Sequence, residues 1–394
     1  MKKIIFIANN NLGDGLSGGD RIFLEFLRNW QNKAQITVIA CQEAINLINL
    51  HHIKNVTLIC TTNKFETSNY FSNKNLLKHI IKRTFIGVKS IYQHRQLIKK
   101  SDFIYSVSDF YPDFFPSLTA KLLSPKSKLI IGYYLFAPNP FAKDSPYRNT
   151  NFTKGLLYWL MQRPSHFLTN VFADIVFITS KPDIKNFPRK KTFIIQGGVD
   201  TKPSQNYFKT NKIIKKKKYD AIFIGRLHPQ KGVLELIDIW KNVVQKKPNV
   251  KLAIIGDGEL EKQLKSKISK LKLKKNINLL GFLDGQEKYK IFKQSKVVVH
   301  PAVYDSGGMA AAEAMAWGLP GVSFDLKALK TYYPKGMIKT KCFNLNNFTD
   351  NIISLLEDSK KYEKFSKEAK QLILEKWDWQ KKSSYVFNQL TTTS

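Results

Sequence analysis

Asp305 and Glu313 are two carboxylates eight positions apart, and Gly307-Gly308 and a helix-forming Ala run lie between them. The apolar VVVH stretch at 297–300 reads as a buried strand that runs out at Pro301, and the next helix is expected to start near Gly308. Asp305 then falls in a strand-to-helix loop. Backbone N–H groups around Ser306, Gly307 and Gly308 are expected to open at the helix N-terminus, with Glu313 about two turns into the helix. This set suits a ligand with an anionic centre and hydroxyl-bearing ends: N–H groups for phosphate, carboxylates for sugar hydroxyls. A nucleotide-diphosphate sugar has that form.

A second cluster lies upstream, in Gly225-Arg226-Leu227-His228-Pro229-Gln230-Lys231-Gly232, directly after the apolar run AIFIG (221–225). Arg226 and Lys231 sit five apart across a tight loop and can converge at the strand end. Two fixed cations there can offset the charge that builds on a departing diphosphate, a task otherwise given to Mg²⁺. A guanidinium grips phosphate with a planar fork that lysine lacks, so Arg226 is hard to replace. Alone, the octapeptide reads as a solvated turn; its pairing with the 300–320 segment favours the binding role. Other chemistries find no footing. The sequence has no Asp-x-Asp pair and no Gly-x4-Gly-Lys-Ser/Thr loop, and its seven histidines show no metal-ligand spacing. No metal site is expected, and His228 and His300 read as loop and strand-end residues.

The elements that must position these groups alternate between strand and helix, twice over. Candidate strands are IIFIA (4–8), ITVIA (36–40), VTLIC (56–60), FIYSV (103–107), LIIGYY (129–134), IVFIT (175–179) and FIIQG (193–197). After the polar, basic stretch 201–218, read as an interdomain connection, come AIFIG, LAIIG (252–256), INLLG (277–281), VVVH and GVSF (321–324), with helices filling the tail. Short uninterrupted apolar runs imply strands covered on both faces, hence mostly parallel sheets. The expected fold is α/β, with two doubly wound Rossmann-like domains facing a central cleft. Residues 1–205 form the acceptor-side domain, 206–375 the nucleotide-sugar domain, and 376–394 a helix packing back toward the first.

At 394 residues and 43% hydrophobic, the chain can bury two cores. Its three cysteines, Cys41, Cys60 and Cys342, are scattered and fit a reducing cytosol. No run approaches the roughly 20 apolar residues of a spanning helix. The net charge of +34 implies an anionic partner, although a Lys-rich composition spread along the chain explains most of it. One segment exceeds that background. Thr67–Ser101 has no Asp or Glu, while Lys74, Lys78, Lys82, Arg83, Lys89, Arg95, Lys99 and Lys100 alternate with Leu76, Leu77, Ile80, Ile81, Phe85, Ile86, Ile91 and Leu97. On a helix this gives apolar and basic faces, fit either for an anionic membrane surface or for an ordinary solvated helix.

The chain resembles the retaining GT-B glycosyltransferases of family 4, also called glycosyl transferases group 1. Their second domain carries G-R-L-x-x-x-K-G, a G-x-G after the next strand, and E-x7-E ending in E-A-M-A-x-G-x-P. The corresponding residues are Gly225–Gly232, Gly256-Asp257-Gly258, and Asp305 to Glu313 followed by Ala314-Met315-Ala316-Trp317-Gly318-Leu319-Pro320. Weaker echoes are Ser17-Gly18-Gly19-Asp20 and Gly197-Gly198-Val199-Asp200. The resemblance implies that Arg226 and Lys231 hold the donor diphosphate, Glu313 accepts from ribose hydroxyls and Asp305 from the donor sugar. It also implies that N–H groups of Ser306, Gly307 and Gly308 meet sugar or phosphate, and that Gly18 and Gly19 let the first-domain backbone approach.

Two departures stand out. Asp305 replaces the usual Glu, one methylene shorter. The first-domain His of many members is missing, with Tyr133-Tyr134 near its place and no histidine between His94 and His166. Asp109 is a candidate polar group there; in SDFYPDFF it reads more readily as a helix N-cap.

The expectation is a metal-independent retaining hexosyltransferase without a cofactor. Its donor is a UDP- or GDP-sugar and its acceptor a glycan or lipid-linked sugar. It acts in surface glycan, lipopolysaccharide or glycolipid synthesis, in the cytoplasm or at the inner membrane face. A non-catalytic sugar-nucleotide or glycan binder, a GT-B-fold epimerase or phosphorylase, and a basic nucleic-acid-binding protein are the rivals; no specific nucleic acid is expected.

Overall fold

The computed structural model describes residues 1–11, 17–62, 73–143, 145–147, 151–195, 197–210, 216–305 and 307–392. The chain separates into two compact units, Met1–Gly197 with Trp379–Ser394, and Gly198–Asp378.

In the first unit, seven strands among the described residues follow the apolar runs: β1 Lys3–Ala8, β2 Gln35–Ala40, β3 Thr57–Cys60, β4 Phe103–Ser106, β5 Lys128–Gly132, β6 Ile175–Ile178 and β7 Lys191–Ile194. They pair in parallel in the order β3-β2-β1-β4-β5-β6-β7. The order reverses between β1 and β4, so the chain leaving those two strands meets at the C-terminal edge, where doubly wound sheets hold ligands. The LIIGYY strand stops at Gly132, earlier than its apolar run suggested. A Cβ at Gly132 would stand 2.6 Å from the Val107 carbonyl oxygen, so backbones approach closely there. The C-terminal helix Trp379–Thr391 lies on the helix Gly18–Trp30, where the Trp30 indole donates to the Ser383 carbonyl at 3.0 Å and packs at a tilt against Phe387.

The second unit has six strands among the described residues: β8 Tyr219–Ile224, β9 Leu252–Ile255, β10 Ile277–Leu279, β11 Ser295–His300, β12 Gly321–Phe324 and β13 Met337–Thr340. They are parallel in the order β10-β9-β8-β11-β12-β13, reversing between β8 and β11. Apolar side chains cover both faces: Val233, Leu236 and Trp240 on one, Ala311, Met315 and Trp377 on the other.

Two elements differ from the sequence expectation. β13 is an edge strand whose half-polar MIKT carries no apolar run, so it was invisible as a strand. The 201–218 stretch contains the helix Lys202–Lys209, with Pro203 in its first turn and Tyr207 packed on Trp317 at 5.5 Å between ring centroids. Tertiary contact, not periodicity, makes this polar segment helical; residues 211–215 lie outside those described.

Candidate functional site

The loop after β8 and the loop after β11 are locked together by backbone. Gly232 has a left-handed φ of +63°, and a Cβ there would stand 1.9 Å from the Pro301 carbonyl oxygen. Only glycine allows this approach. Val303 and Tyr304 both donate their N–H to the Gln230 carbonyl, at 3.0 and 3.2 Å. The Gly256-Asp257-Gly258 turn braces the same loop: a Cβ on Gly256 would come 2.0 Å from the Gly225 carbonyl oxygen, and Leu227 N–H donates to the Asp257 carbonyl at 2.6 Å.

This geometry brings Lys231 to Asp305, with Nζ 2.6 Å from Oδ2. The His300 Nε2, at the end of β11, lies 3.2 Å from the same oxygen. Oδ1 accepts from the Gly307 and Gly308 N–H groups at 3.0 and 2.9 Å. Burial alone would raise the Asp305 pKa. The Lys231 ammonium and the His300 imidazole overcome it and hold the carboxyl well below the usual carboxylate range. A carboxylate has about four acceptor positions; three are met here by hydrogen bonds from Lys231, Gly307 and Gly308, with the His300 ring close to Oδ2. The N–H groups expected to lie open at the helix N-terminus are therefore taken, at Gly307 and Gly308, by Asp305 itself. Ser306 lies outside the described residues.

Gly308 caps the helix Met309–Met315 in the left-handed region, φ +65°, with its carbonyl accepting from the Tyr333 hydroxyl at 2.6 Å. Glu313 is the fifth residue of that helix, nearer its start than expected, because the helix opens after Gly308. Its Oε2 lies 2.7 Å from the Lys288 Nζ, which also reaches Asp284 Oδ1 at 2.5 Å. Lys288 is itself buried. Arg226, by contrast, is exposed, and its guanidinium makes no hydrogen bond or ion pair among the described residues.

Sequence reasoning missed His300 and Lys288. His300 ends an apolar strand, and Lys288 sits in EKYKIFK, which reads as a solvated helix. A signal existed for Lys288 alone: it stands one turn after Asp284, at the i,i+4 spacing of an ion pair.

In the first unit, Ser17 caps the helix Gly18–Trp30 in a capping box with Asp20, and Asp20 Oδ1 accepts from Asn11 Nδ2 at 2.8 Å. Gly18 and Gly19 are the first residues of that helix. A Cβ on Gly19 would touch the Tyr134 ring at 3.4 Å. Asp109 is not an N-cap: Phe110 holds that position for the helix Tyr111–Leu123, without a side-chain bond. The buried Asp109 carboxylate instead accepts from Gln162 Nε2 at 2.8 Å, and the same amide group receives Ala137 N–H at 2.6 Å and donates to the Leu135 carbonyl at 2.8 Å. Burial pushes its pKa up to about 7, with Gln162 opposing. Asp113, which receives the Asn9 and Asn10 N–H groups and the Ser108 hydroxyl, is likewise pushed by burial to about 7. His166 packs in the aromatic cluster of Tyr133, Phe136 and Phe187, beside the loop where a histidine had been sought.

Residues 205–372 match the family described as Glycosyl transferases group 1. The chain is 29% identical over 156 residues to the Poly(glycerol-phosphate) alpha-glucosyltransferase of Bacillus subtilis, covering 39% of this chain and 23% of that protein. It is 28% identical over 203 residues to the Poly(ribitol-phosphate) alpha-N-acetylglucosaminyltransferase of Staphylococcus aureus, covering 50% of this chain and 38% of that protein. The matches thus span well under half the length of these relatives. Across whole chains, the structure resembles Anabaena HepE in complex with UDP-glucose, with a TM-score of 0.70, 18% identity and 100% of both chains covered. It also resembles S. aureus TarM, with a TM-score of 0.72, 15% identity and 99% of both covered. The chain has the GT-B fold of these glycosyltransferases, and its second unit carries the match to the group 1 family.

Proposed function

We propose that this chain transfers a sugar from a nucleotide-diphosphate sugar to an acceptor hydroxyl, with retention of anomeric configuration and without a metal, in the making of a surface glycan, lipopolysaccharide or glycolipid. The observation that carries the reading is the loop Gly225–Gly232, which carries an Arg226 guanidinium unengaged among the described residues and a Lys231 held at Asp305. In this reading 206–375 is the donor-binding domain and 1–205 the acceptor-side domain. Arg226 and Lys231 take the diphosphate, and their charge stabilises it as the bond to the sugar breaks. As Lys231 turns to phosphate it frees an acceptor position on Asp305 Oδ2, which a donor-sugar hydroxyl fills, while His300 keeps Asp305 charged and oriented. Glu313, with Lys288 as its counter-ion, accepts from the ribose hydroxyls. Gly18, Gly19, Ser306, Gly307 and Gly308 let backbone come close to the donor. The acceptor hydroxyl attacks the face the diphosphate leaves. Its proton passes to the departing phosphate oxygen, so no protein nucleophile is needed.

Two relatives named for alpha-linked products and a structural neighbour holding UDP-glucose support this class of reaction. The test is incubation with UDP-, GDP- and ADP-sugars, with and without glycan and polyol-phosphate acceptors. The expected result is nucleotide diphosphate released only with acceptor, and a product whose anomeric configuration, read by NMR, matches the donor. Release without acceptor, an epimerised sugar, or an inverted product would overturn it.

A further inference from the structure

The helix Asn73–Gln93 carries a buried face and an exposed one. Its inner sector is buried: His79, Ile80, Arg83, Ser90 and Ile91. Arg83, which the sequence pattern placed on a basic outer face, turns inward, where its guanidinium pairs with the buried Glu43 at 2.7 Å and donates to the Asn9 carbonyl at 3.3 Å. The outer sector is another matter. Leu77 is 40% exposed, Ile81 56%, Phe85 78% and Tyr92 52%. At about 100° per residue these four fall within a stripe about 80° wide, and Lys78, Lys89 and Lys82 follow as a second row at roughly 20–60° beyond it. All three lysines are exposed. The side chains of Asn73 and Lys74, and residues 67–72, lie outside those described.

We propose that this outer face docks on an anionic phospholipid surface, the apolar stripe entering the boundary between headgroups and acyl chains while the lysine row meets lipid phosphates. Three observations select this occupant. From Thr67 to Ser101 the sequence has no Asp or Glu, so the face complements anions alone, and a second copy carrying the same charge is repelled. The stripe is an unbroken band of four exposed apolar side chains along a single helix, Leu77, Ile81, Phe85 and Tyr92. The exposed lysines Lys78, Lys89 and Lys82 border that band along one side, the layout of a helix lying in the plane of an anionic interface. The inference does not rest on the proposed transfer reaction.

The test is sedimentation of the full chain with vesicles of mixed phosphatidylglycerol and phosphatidylcholine, against vesicles of phosphatidylcholine alone. Binding is expected on the anionic vesicles only, weakening as salt screens the lysines. Ile81→Glu with Phe85→Glu, and separately Lys78→Glu with Lys89→Glu, should each lower the bound fraction at least tenfold (roughly 1.4 kcal/mol) with melting temperature and elution volume unchanged. Equal binding to both vesicle types, wild-type binding by both variants, or no binding by the wild type would overturn the proposal. So would a concentration-dependent dimer that Phe85→Glu dissociates, which would assign the face to a second copy.

Discussion

Asp305 and Asp109 are both buried carboxylates in loops that follow strands of parallel sheets, yet their surroundings push them in opposite directions. Asp305 meets a lysine, a histidine and two N–H groups, and its pKa falls. Asp109 meets a neutral amide, and burial raises it to about 7. Glu313 also has a cation beside it, Lys288, whereas Asp113 meets backbone N–H groups and a serine hydroxyl and is pushed up to about 7 like Asp109. Burial is common to all of these sites; what separates them is whether a cation shares it. The second unit keeps fixed charges of both signs at its strand ends, which suits a ligand that brings its own anion and can exchange places with a carboxylate. At Asp109 and Asp113 the first unit keeps groups whose recorded hydrogen-bond partners are uncharged, which suits a neutral hydroxyl.

The largest effect is expected at Arg226. Arg226→Ala removes an exposed side chain with no partner among the described residues, so melting should not change, while turnover should fall about 10²–10³-fold. Wild-type turnover would remove the reason for treating the second unit as the charged half. Asp305→Ala should cost about 3 kcal/mol in denaturant unfolding, because it leaves Lys231, His300 and two N–H groups facing a vacated anion site. The wild-type contribution of Asp305 is present above the ordinary carboxylate pKa and is lost as pH falls below about 4, so the stability gap between the wild type and Asp305→Asn should be full near pH 7 and shrink below about pH 4. Lys288→Met should raise the donor KM about tenfold with kcat little changed, since it frees Glu313 from its counter-ion without touching the reacting atoms; an unchanged KM would divorce the Asp284–Lys288–Glu313 chain from the donor.

The smallest effect belongs to the first unit. The fold favours protonated Asp109, so the stability tied to this group is complete below about pH 4 and is lost as pH rises through about 7. Asp109→Asn should therefore gain melting temperature near pH 8 and none near pH 4. A gain at both would show that its burial has nothing to do with ionisation.

The sheets were legible because their strands are short apolar runs: IIFIA and LAIIG name their own positions. β13 was not, since Lys339 and Thr340 break the run at a sheet edge. In the site, residue types were readable and partnerships were not. Arg226, Lys231, Asp305 and Glu313 stand out by spacing within their loops, but the union of Lys231 with Asp305 depends on Gly232 lying against Pro301, a contact between segments about 70 residues apart. Lys288 reads as a solvated lysine until the helix Met309–Met315 is set beside it. Arg83 reads as one of eight surface cations until Glu43, on another helix, claims it. Sequence shows which groups are present; the fold decides which charges are spent on each other and which are left for a ligand.

The central claim is that cations of the Gly225–Gly232 loop grip a pyrophosphate. Calorimetric titration of UDP and GDP into the wild type and Arg226→Ala, with pyrophosphate as competitor, tests it directly. The account predicts binding of at least one nucleotide to the wild type, displacement by pyrophosphate, and at least tenfold weaker affinity in Arg226→Ala. Equal affinity in both proteins, or binding that pyrophosphate leaves undisturbed, would contradict it.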